Sequence, residues 1–565
     1  MVSNKEIAKV IKSAASLMEV HGANAFKTRA YSSAVFNIEK SEEALGGKSS
    51  DELQELGFSK SMAEKIVEIS GTGSFADFDK LLEETPEGVV KMLEIKGIGG
   101  KKIATIWKEL EIETIEALEK ACRENKVQAL KGFGAKTEQT ILEQIQFLEE
   151  NKGKLYYAEA EPLAQSFVEY LQQAGFSLVE ASGEVRRKME IVETLQWVVA
   201  TDDFSKLKNE LVNIPDWEYH EKDSGPNVWR GEITDLGMPV EVKIAKEQDF
   251  AKTLLLNSCD GKHLSLVGEK GKILSEIVRT TSQSSEEAYY EVAGLPFFPP
   301  EMRDGFFERE LLQNGGVPEL VKMEDLKGIL HNHSTYSDGK HTLEEMARHC
   351  KELGYDYLGI TDHSKSAFYA NGLNEDRIRQ QHAEIDELNK QLAPFKIFKG
   401  IESDILNDGS LDYSDDVLAS FDFIIASIHS NLKMDKKKAT DRLLKAIANP
   451  YTTMLGHPTG RLLLKREGYP IDHKMVIDAC AEHNVMIEIN AHPWRLDLDW
   501  RWVRYALSKG VMISVNPDAH EMEGYQYMRF GLLVGRKAGL TKEMTLNAMS
   551  TEEVAKRFAE KNNKQ

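Results

Sequence analysis

Apolar positions change their period between the two ends of this chain. Residues 5–20 and 25–38 place them at helical spacing, the second stretch setting Phe26, Tyr31, Val35 and Phe36 among Lys27 and Arg29. From residue 328 onward the pattern is different. Short apolar runs recur there, each ending on a polar residue: 328–330 on His331, 357–362 on His363, 396–401 on Glu402, 423–428 on His429, 453–456 on His457, 485–489 on Asn490, and 511–517 on Asp518 and His520. Runs of this length predict strands buried on both faces. Residues 342–351 and 377–392, lying between runs, carry helical periodicity. Buried strands alternating with helices predict a β/α barrel, whose chemistry sits at the carboxyl ends of its strands, where these polar residues fall.

One chemistry dominates those strand ends. Of the 15 histidines, 12 lie between His331 and His520. His331 and His333 alternate in a β period, so both side chains can leave one face and reach one ion, and Asp338 follows in a Ser-Asp-Gly turn. These three form the first corner of a predicted multi-metal site. A mixed imidazole and carboxylate set suits Mn²⁺, Zn²⁺ or Fe²⁺ better than Mg²⁺, which prefers oxygen ligands alone. Neighbouring ions lower the pKa of a bridging water and clamp the attacking and leaving oxygens of a phosphate ester, so the expected reaction is phosphoester hydrolysis.

Nearer the amino end, residues 93–110 and 130–145 each contain an apolar-Gly-apolar-Gly turn followed by Lys and a helical pattern. Gly97, Gly99 and Lys101 mark the first, and Gly132, Gly134 and Lys136 the second. Both read as helix-hairpin-helix elements. Their glycines let the backbone approach a phosphate, whose oxygens take N–H groups at the helix start. This mode needs no basic surface, and residues 91–152 hold as many acids as bases. A third copy at residues 56–60 is degenerate, because Ser59 replaces the second glycine.

The C-terminal region of this chain resembles a PHP (polymerase and histidinol phosphatase) domain. The chain as a whole resembles the bacterial family-X DNA polymerases that carry one, whose PHP domains are similar at Arg495-Leu496-Asp497. The resemblance implies a multidomain α+β and α/β protein: an N-terminal helical domain (1–85), a tandem helix-hairpin-helix region (86–152), a polymerase-like palm and thumb (153–318) and a distorted (β/α)7 PHP barrel (319–565). It also implies three divalent ions, Mn²⁺ first with Zn²⁺ or Fe²⁺ as alternatives. Their ligands and catalytic centre would be His331, His333, Asp338, His363, Glu402, His429, His457, Asp518 and His520.

Against that family the palm departs. The motif Gly-Ser-x-Arg-Arg-Gly stands here as Gly183-Glu184-Val185-Arg186-Arg187-Lys188, and the paired aspartates fall on Thr194 and Gln196, the third on Glu241. Two-metal nucleotidyl transfer needs anionic oxygens, and Thr and Gln offer neutral ones. A degenerate polymerase site is therefore expected.

A chain of 565 residues exceeds one core and should hold three or four domains. A net charge of −21 argues against broad adhesion to nucleic acid, so DNA contact must be local. Cys122, Cys259, Cys350 and Cys480 lie far apart and read as reduced core residues, and neither a signal peptide nor a membrane span is visible, so a cytoplasmic protein is expected; separately, it is expected to be a monomer. The expected function is a DNA-processing phosphoesterase, a 3′–5′ exonuclease acting on gapped or damaged DNA in repair, with abasic-site cleavage and 3′-phosphate removal as further activities the resemblance implies. The alternative is an active gap-filling family-X polymerase with a PHP nuclease. A non-catalytic DNA-end binder would leave the nine ligands without use, and a small-molecule phosphatase would leave the hairpins without use.

Overall fold

The computed structural model describes residues 2–41, 43–269 and 271–562, in two compact units, Met1–Lys152 and Gly153–Gln565. Among the described residues no helix is long and apolar enough to cross a membrane.

The first unit is all helical. Helix Asn4–Val20 starts at a capping box in which Ser3 and Glu6 satisfy each other's backbone N–H, and it buries Ile7, Ile11, Ala14 and Met18 against Tyr31, Val35 and Ile38 of helix Ala25–Lys40. Three turns then repeat one geometry. Gly97 (φ +94°) precedes Gly99, the N-cap of helix Gly100–Leu110, and Gly132 (φ +86°) precedes Gly134, the N-cap of helix Ala135–Asn151. In the third, Gly57 (φ +92°) precedes Ser59, whose side chain accepts from Met62 N at the start of helix Lys60–Thr72. The turn that the sequence marks as degenerate thus keeps its shape. Only the first glycine needs the left-handed region, and serine is a strong N-cap where the second one stood.

The second unit joins a five-stranded sheet to a barrel. The sheet comprises β1 (Val179–Ala181), β2 (Leu195–Ala200), β3 (Trp217–Tyr219), β4 (Val228–Ile233) and β5 (Met238–Ala245), in the order β1-β2-β5-β4-β3. Parallel pairing of β2 with β5 sets Gln196 directly beside Glu241.

Barrel strands β6 (Gly328–Ile329), β7 (Tyr357–Ile360), β8 (Lys396–Asp404), β9 (Phe423–Ser427), β10 (Met454–Leu455), β11 (Met486–Asn490) and β12 (Ile513–Asn516) pair in parallel in chain order, and an Asn332–Ala519 bridge brings the first and last together at the carboxyl end. This is the distorted seven-stranded β/α barrel that the apolar runs predict. Ile424, Ala426 and Ile487 pack outward under the helices, while Phe423, Ile425 and Met486, alternating with them, form a separate inner cluster with Tyr357 and Phe398. Helix Thr551–Asn562 closes that cluster: Phe558 stacks on Phe423 with centroids 4.8 Å apart and meets Phe398 edge-on at 5.4 Å. Room for the Phe423 ring exists because Gly359 and Gly400 carry no Cβ, which would lie 2.6 Å from it. The amino end of the barrel is therefore filled with apolar side chains, leaving the carboxyl end for polar ones.

Sheet and barrel meet through buried polar contacts. Glu190 accepts from Trp500 Nε1 (3.1 Å) and Arg501 Nη1 (3.0 Å), Asp304 is shared by Arg187 and Lys537, and Glu301 pairs with Arg536 at 2.7 Å.

Candidate metal centre

All nine side chains singled out at the strand ends converge at the carboxyl mouth of the barrel. Glu402, near the end of β8, is the hub. Its Oε1 lies 2.9 Å from His457 Nε2, 3.2 Å from His429 Nε2 and 3.4 Å from His331 Nε2, and its Oε2 lies 3.0 Å from His363 Nδ1 and 3.7 Å from His333 Nε2. Asp518 Oδ1 stands 3.1 Å from His333 Nε2, and Asp338 Oδ1 lies 3.4 Å from His520 Nε2 and 3.6 Å from His363 Nε2. Three overlapping groups have donor atoms within 4.8 Å of one another: His333, Asp338, His363 and His520; His331, His333 and Asp518; His363, Glu402 and His429. His457 stands outside these groups and joins the cluster through Glu402.

Several donor atoms here have close neighbours in the cluster but no hydrogen-bond partner. His331 Nε2, His333 Nδ1, His363 Nδ1, His457 Nδ1 and Glu402 Oε2 are buried and make no hydrogen bond. Each such atom costs about 1–3 kcal/mol if left unmet, so a concentration of them at one spot is lone-pair capacity kept for a ligand. Nitrogen and carboxylate donors at this density fit divalent transition metals. The backbone is strained at the same place: His457 (φ +22°) and Asp518 (φ +52°) both lie in the left-handed region.

A shell of further side chains orients the cluster. Fully buried Glu488 on β11 sets Oε1 2.6 Å from His331 Nδ1, takes Asn516 Nδ2 at 3.1 Å, and accepts the His457 backbone N–H through Oε2 at 2.8 Å. Asp404 Oδ1 lies 2.5 Å from His429 Nδ1, and Asn490 Nδ2 donates to Asp518 Oδ2 at 3.0 Å. Asp362 ties down the first loop by accepting from the N–H and hydroxyl of both Ser334 and Ser337. Sequence reasoning had not assigned these roles. A glutamate inside the apolar run 485–489 was the one visible signal, since a charge in a doubly buried strand must have a partner.

Electrostatics follow from this crowding. Burial opposes charge on Glu402, yet His429, His331 and His363 hold its carboxyl well below the usual range. Burial, reinforced by His520 and His363, pushes His333 down to about 3. Burial acts the same way on His429 and His520, but Glu402 and Asp404 raise the first to about 10, and Asp338 and Asp518 raise the second to about 9.

The palm positions behave differently. Thr194 precedes β2, and its N–H, with that of Glu193, is taken by the Glu184 carboxylate at 3.2 and 2.7 Å. Gln196 Nε2 donates to Glu241 Oε1 (3.1 Å), which also meets Lys243 at 3.1 Å, while Glu241 Oε2 accepts from Arg230 at 2.7 Å. Gln196 occupies the space over Gly183 so closely that a Cβ there would lie 1.8 Å from its Oε1. Arg186 is paired with buried Glu286 at 2.7 Å.

In the helical unit, Gly99 and Gly134 have extended backbones with φ of −98° and −163°, and an added Cβ would meet nothing within 4 Å. Neither turn geometry nor packing requires glycine there. Lys101 and Lys136 are exposed two residues on, and Gly97 and Gly132 supply the left-handed turns.

Residues 330–492 match the PHP domain family, residues 2–75 a helix-hairpin-helix domain and residues 89–146 a SAM-like helix-hairpin-helix tandem. Barrel and cluster together thus define a PHP-type, metal-dependent phosphoesterase. A probable phosphatase of Thermoanaerobacter sp. is 28% identical over 235 residues, 39% of this chain and 91% of its own. The solved histidinol phosphate phosphatase of Lactococcus lactis, complexed with zinc, L-histidinol and phosphate, has 17% identity and a TM-score of 0.31 over 38% of this chain and 94% of its own. Along the whole length, the DNA polymerase/3′-5′ exonuclease PolX of Bacillus subtilis (strain 168) is 35% identical over 563 residues, 97% of this chain and 98% of its own. The chain belongs to that PolX family.

Proposed function

We propose that this chain is a 3′–5′ exonuclease acting on gapped or damaged DNA in repair, with its hydrolytic centre in the barrel and a palm that no longer adds nucleotides. Abasic-site cleavage and 3′-phosphate removal fall within the same chemistry. The carrying observation is the contrast in unmet donors: the barrel cluster holds buried atoms without hydrogen-bond partners, whereas both oxygens of Glu241 are engaged. Three divalent ions held by the nine residues, Mn²⁺ first, would supply a hydroxide nucleophile at neutral pH and a clamp for the phosphate oxygens. The chain's own residues do the rest. Glu488 and Asp404 orient His331 and His429, and Arg495, whose Nε lies 3.8 Å from Asp518 Oδ2, offers a guanidinium at the mouth that can pair with a phosphate.

DNA is the partner we assign to the helix-hairpin-helix turns, through N–H groups at the helix starts after Gly99 and Gly134. The division of labour follows the boundaries 1–85, 86–152, 153–318 and 319–565, and the protein acts as a cytoplasmic monomer. The name of the Bacillus relative supports the exonuclease reading, and also names the polymerase activity that the filled palm site speaks against. A 3′-labelled, one-nucleotide-gapped duplex incubated with Mn²⁺, with and without deoxynucleotides, separates the two. Shortening under both conditions is expected. Extension without shortening overturns the reading.

A further inference from the structure

Beside the metal centre stands a feature that hydrolysis alone does not use. Phe368 and Tyr369 are 88% and 71% exposed, on the single 3-10 turn Phe368–Ala370 that follows His363. Exposed aromatics on loops are commonly mobile, but this turn is pinned from below. Ala367 and Ala370 are buried, Ser366 N–H donates to Asp412 at 2.6 Å, Lys365 N–H donates to Tyr413 at 3.1 Å, and Leu373 N–H returns to His363 O at 2.8 Å. Gly372 lies so close beneath that a Cβ would sit 1.9 Å from Ser364 O. The rings are therefore held out to solvent by a rigid base.

Their place is at the mouth. The Tyr369 ring centroid lies 6.3 Å from that of His363. Arg495 Nε lies 3.8 Å from Asp518 Oδ2, so Tyr369 and Arg495 both border the cluster. A planar apolar surface, a guanidinium and a phosphoester-cleaving centre around one opening match a nucleobase and its adjoining phosphate. Aromatic stacking tolerates any base but needs it unpaired, since a base in a duplex has both faces covered.

We propose that Phe368 and Tyr369 form a stacking platform for the last bases of an unpaired strand, placing its terminal phosphodiester on the metal cluster. This rests on the phosphodiesterase reading above. It is tested on the full-length protein with Mn²⁺ and short single-stranded oligonucleotides whose two 3′-terminal nucleotides are either natural or abasic tetrahydrofuran units. The hairpin turns grip backbone and treat both substrates alike. The native protein is expected to favour the natural end in kcat/KM by about tenfold for each stacked base. Phe368→Ala and Tyr369→Ala should bring that ratio toward one, and Tyr369→Phe should retain it. A ratio unchanged in both alanine variants overturns the platform, which would then be a patch for another partner. If nothing is cut, the phosphodiesterase reading falls, and the same ratio is taken from equilibrium binding: base-dependent affinity removed by the alanine variants upholds the platform, and base-independent affinity overturns it.

Discussion

The barrel mouth and the palm both gather carboxylates and polar side chains on their strands, yet they treat those groups in opposite ways. At the barrel mouth Glu402 faces five imidazoles, and one of its oxygens has no hydrogen bond. In the palm, burial works against the charge of Glu241, but Lys243 and Arg230 hold its carboxyl below the usual range, and Gln196 takes part of the same oxygen. What separates a centre open to metal from a closed one is thus whether its donors are already spent on the protein itself. A cation brought to Glu241 would have to displace two fixed ones.

This contrast can be broken at several strengths. Removing a donor at the hub should have the largest effect: Glu402→Ala or His331→Ala is expected to lower Mn²⁺-dependent hydrolysis by at least about a hundredfold, with bound metal falling in elemental analysis and the far-ultraviolet circular dichroism retained. Glu488→Gln keeps the shape of the side chain but removes the charge facing His331. Metal affinity should weaken by about 10- to 100-fold in titrations, and an unchanged affinity would show that Glu488 only fills space.

Acidity probes the same donors. His429 and His520 are raised in the metal-free cluster to about 10 and about 9, above an unfolded value of about 6.5. Their charged forms therefore contribute stability to the metal-free protein that is complete below that unfolded value and lost as pH climbs through the folded ones. Metal needs the neutral rings, so apparent affinity should move the other way, rising between pH 6 and 9 by about tenfold per pH unit for each displaced proton. A pH-independent affinity in that window would contradict it.

Smaller effects are expected away from the barrel. Gly99→Val or Gly134→Val should weaken binding to gapped DNA by about tenfold while melting shifts only slightly, because the fold leaves that space empty and a phosphate would fill it. Least of all should change in the palm: Thr194→Asp with Gln196→Asp, tested in a barrel-ligand variant so that hydrolysis cannot hide synthesis, is expected to add no template-directed nucleotide. Extension by that variant would show that the Lys243 and Arg230 pairs yield to metal.

Much of the barrel was legible because two signals coincide. Runs such as 423–428 and 511–517 are mostly apolar, and each is followed within three residues by a group able to bind metal, so a period and a chemistry point to one end of one fold. Residues acting through another residue gave no such coincidence. Asp362 and Asp404 look like ordinary acids, and only the folded chain reveals that the first gathers Ser334 and Ser337 and the second faces His429. Helix Thr551–Asn562 reads as an amphipathic surface helix, because nothing local states that Phe558 will enter a barrel. At Ser59 the sequence pattern was too strict, since it asked for glycine where the backbone needs only an N-cap.

The polar bonds joining sheet and barrel bear on how such a molecule changes over generations. Gln196 and Thr194 answer to the hydrogen bonds and packing of the sheet itself. Glu190, just before the sheet strand that carries Gln196, and Asp304, beyond the sheet, hold Trp500, Arg501 and Lys537 of the barrel, and a substitution at either would be felt in the barrel domain. On the function proposed above, a palm relieved of its own chemistry still serves as the footing of its neighbour, so a domain can outlive its reaction.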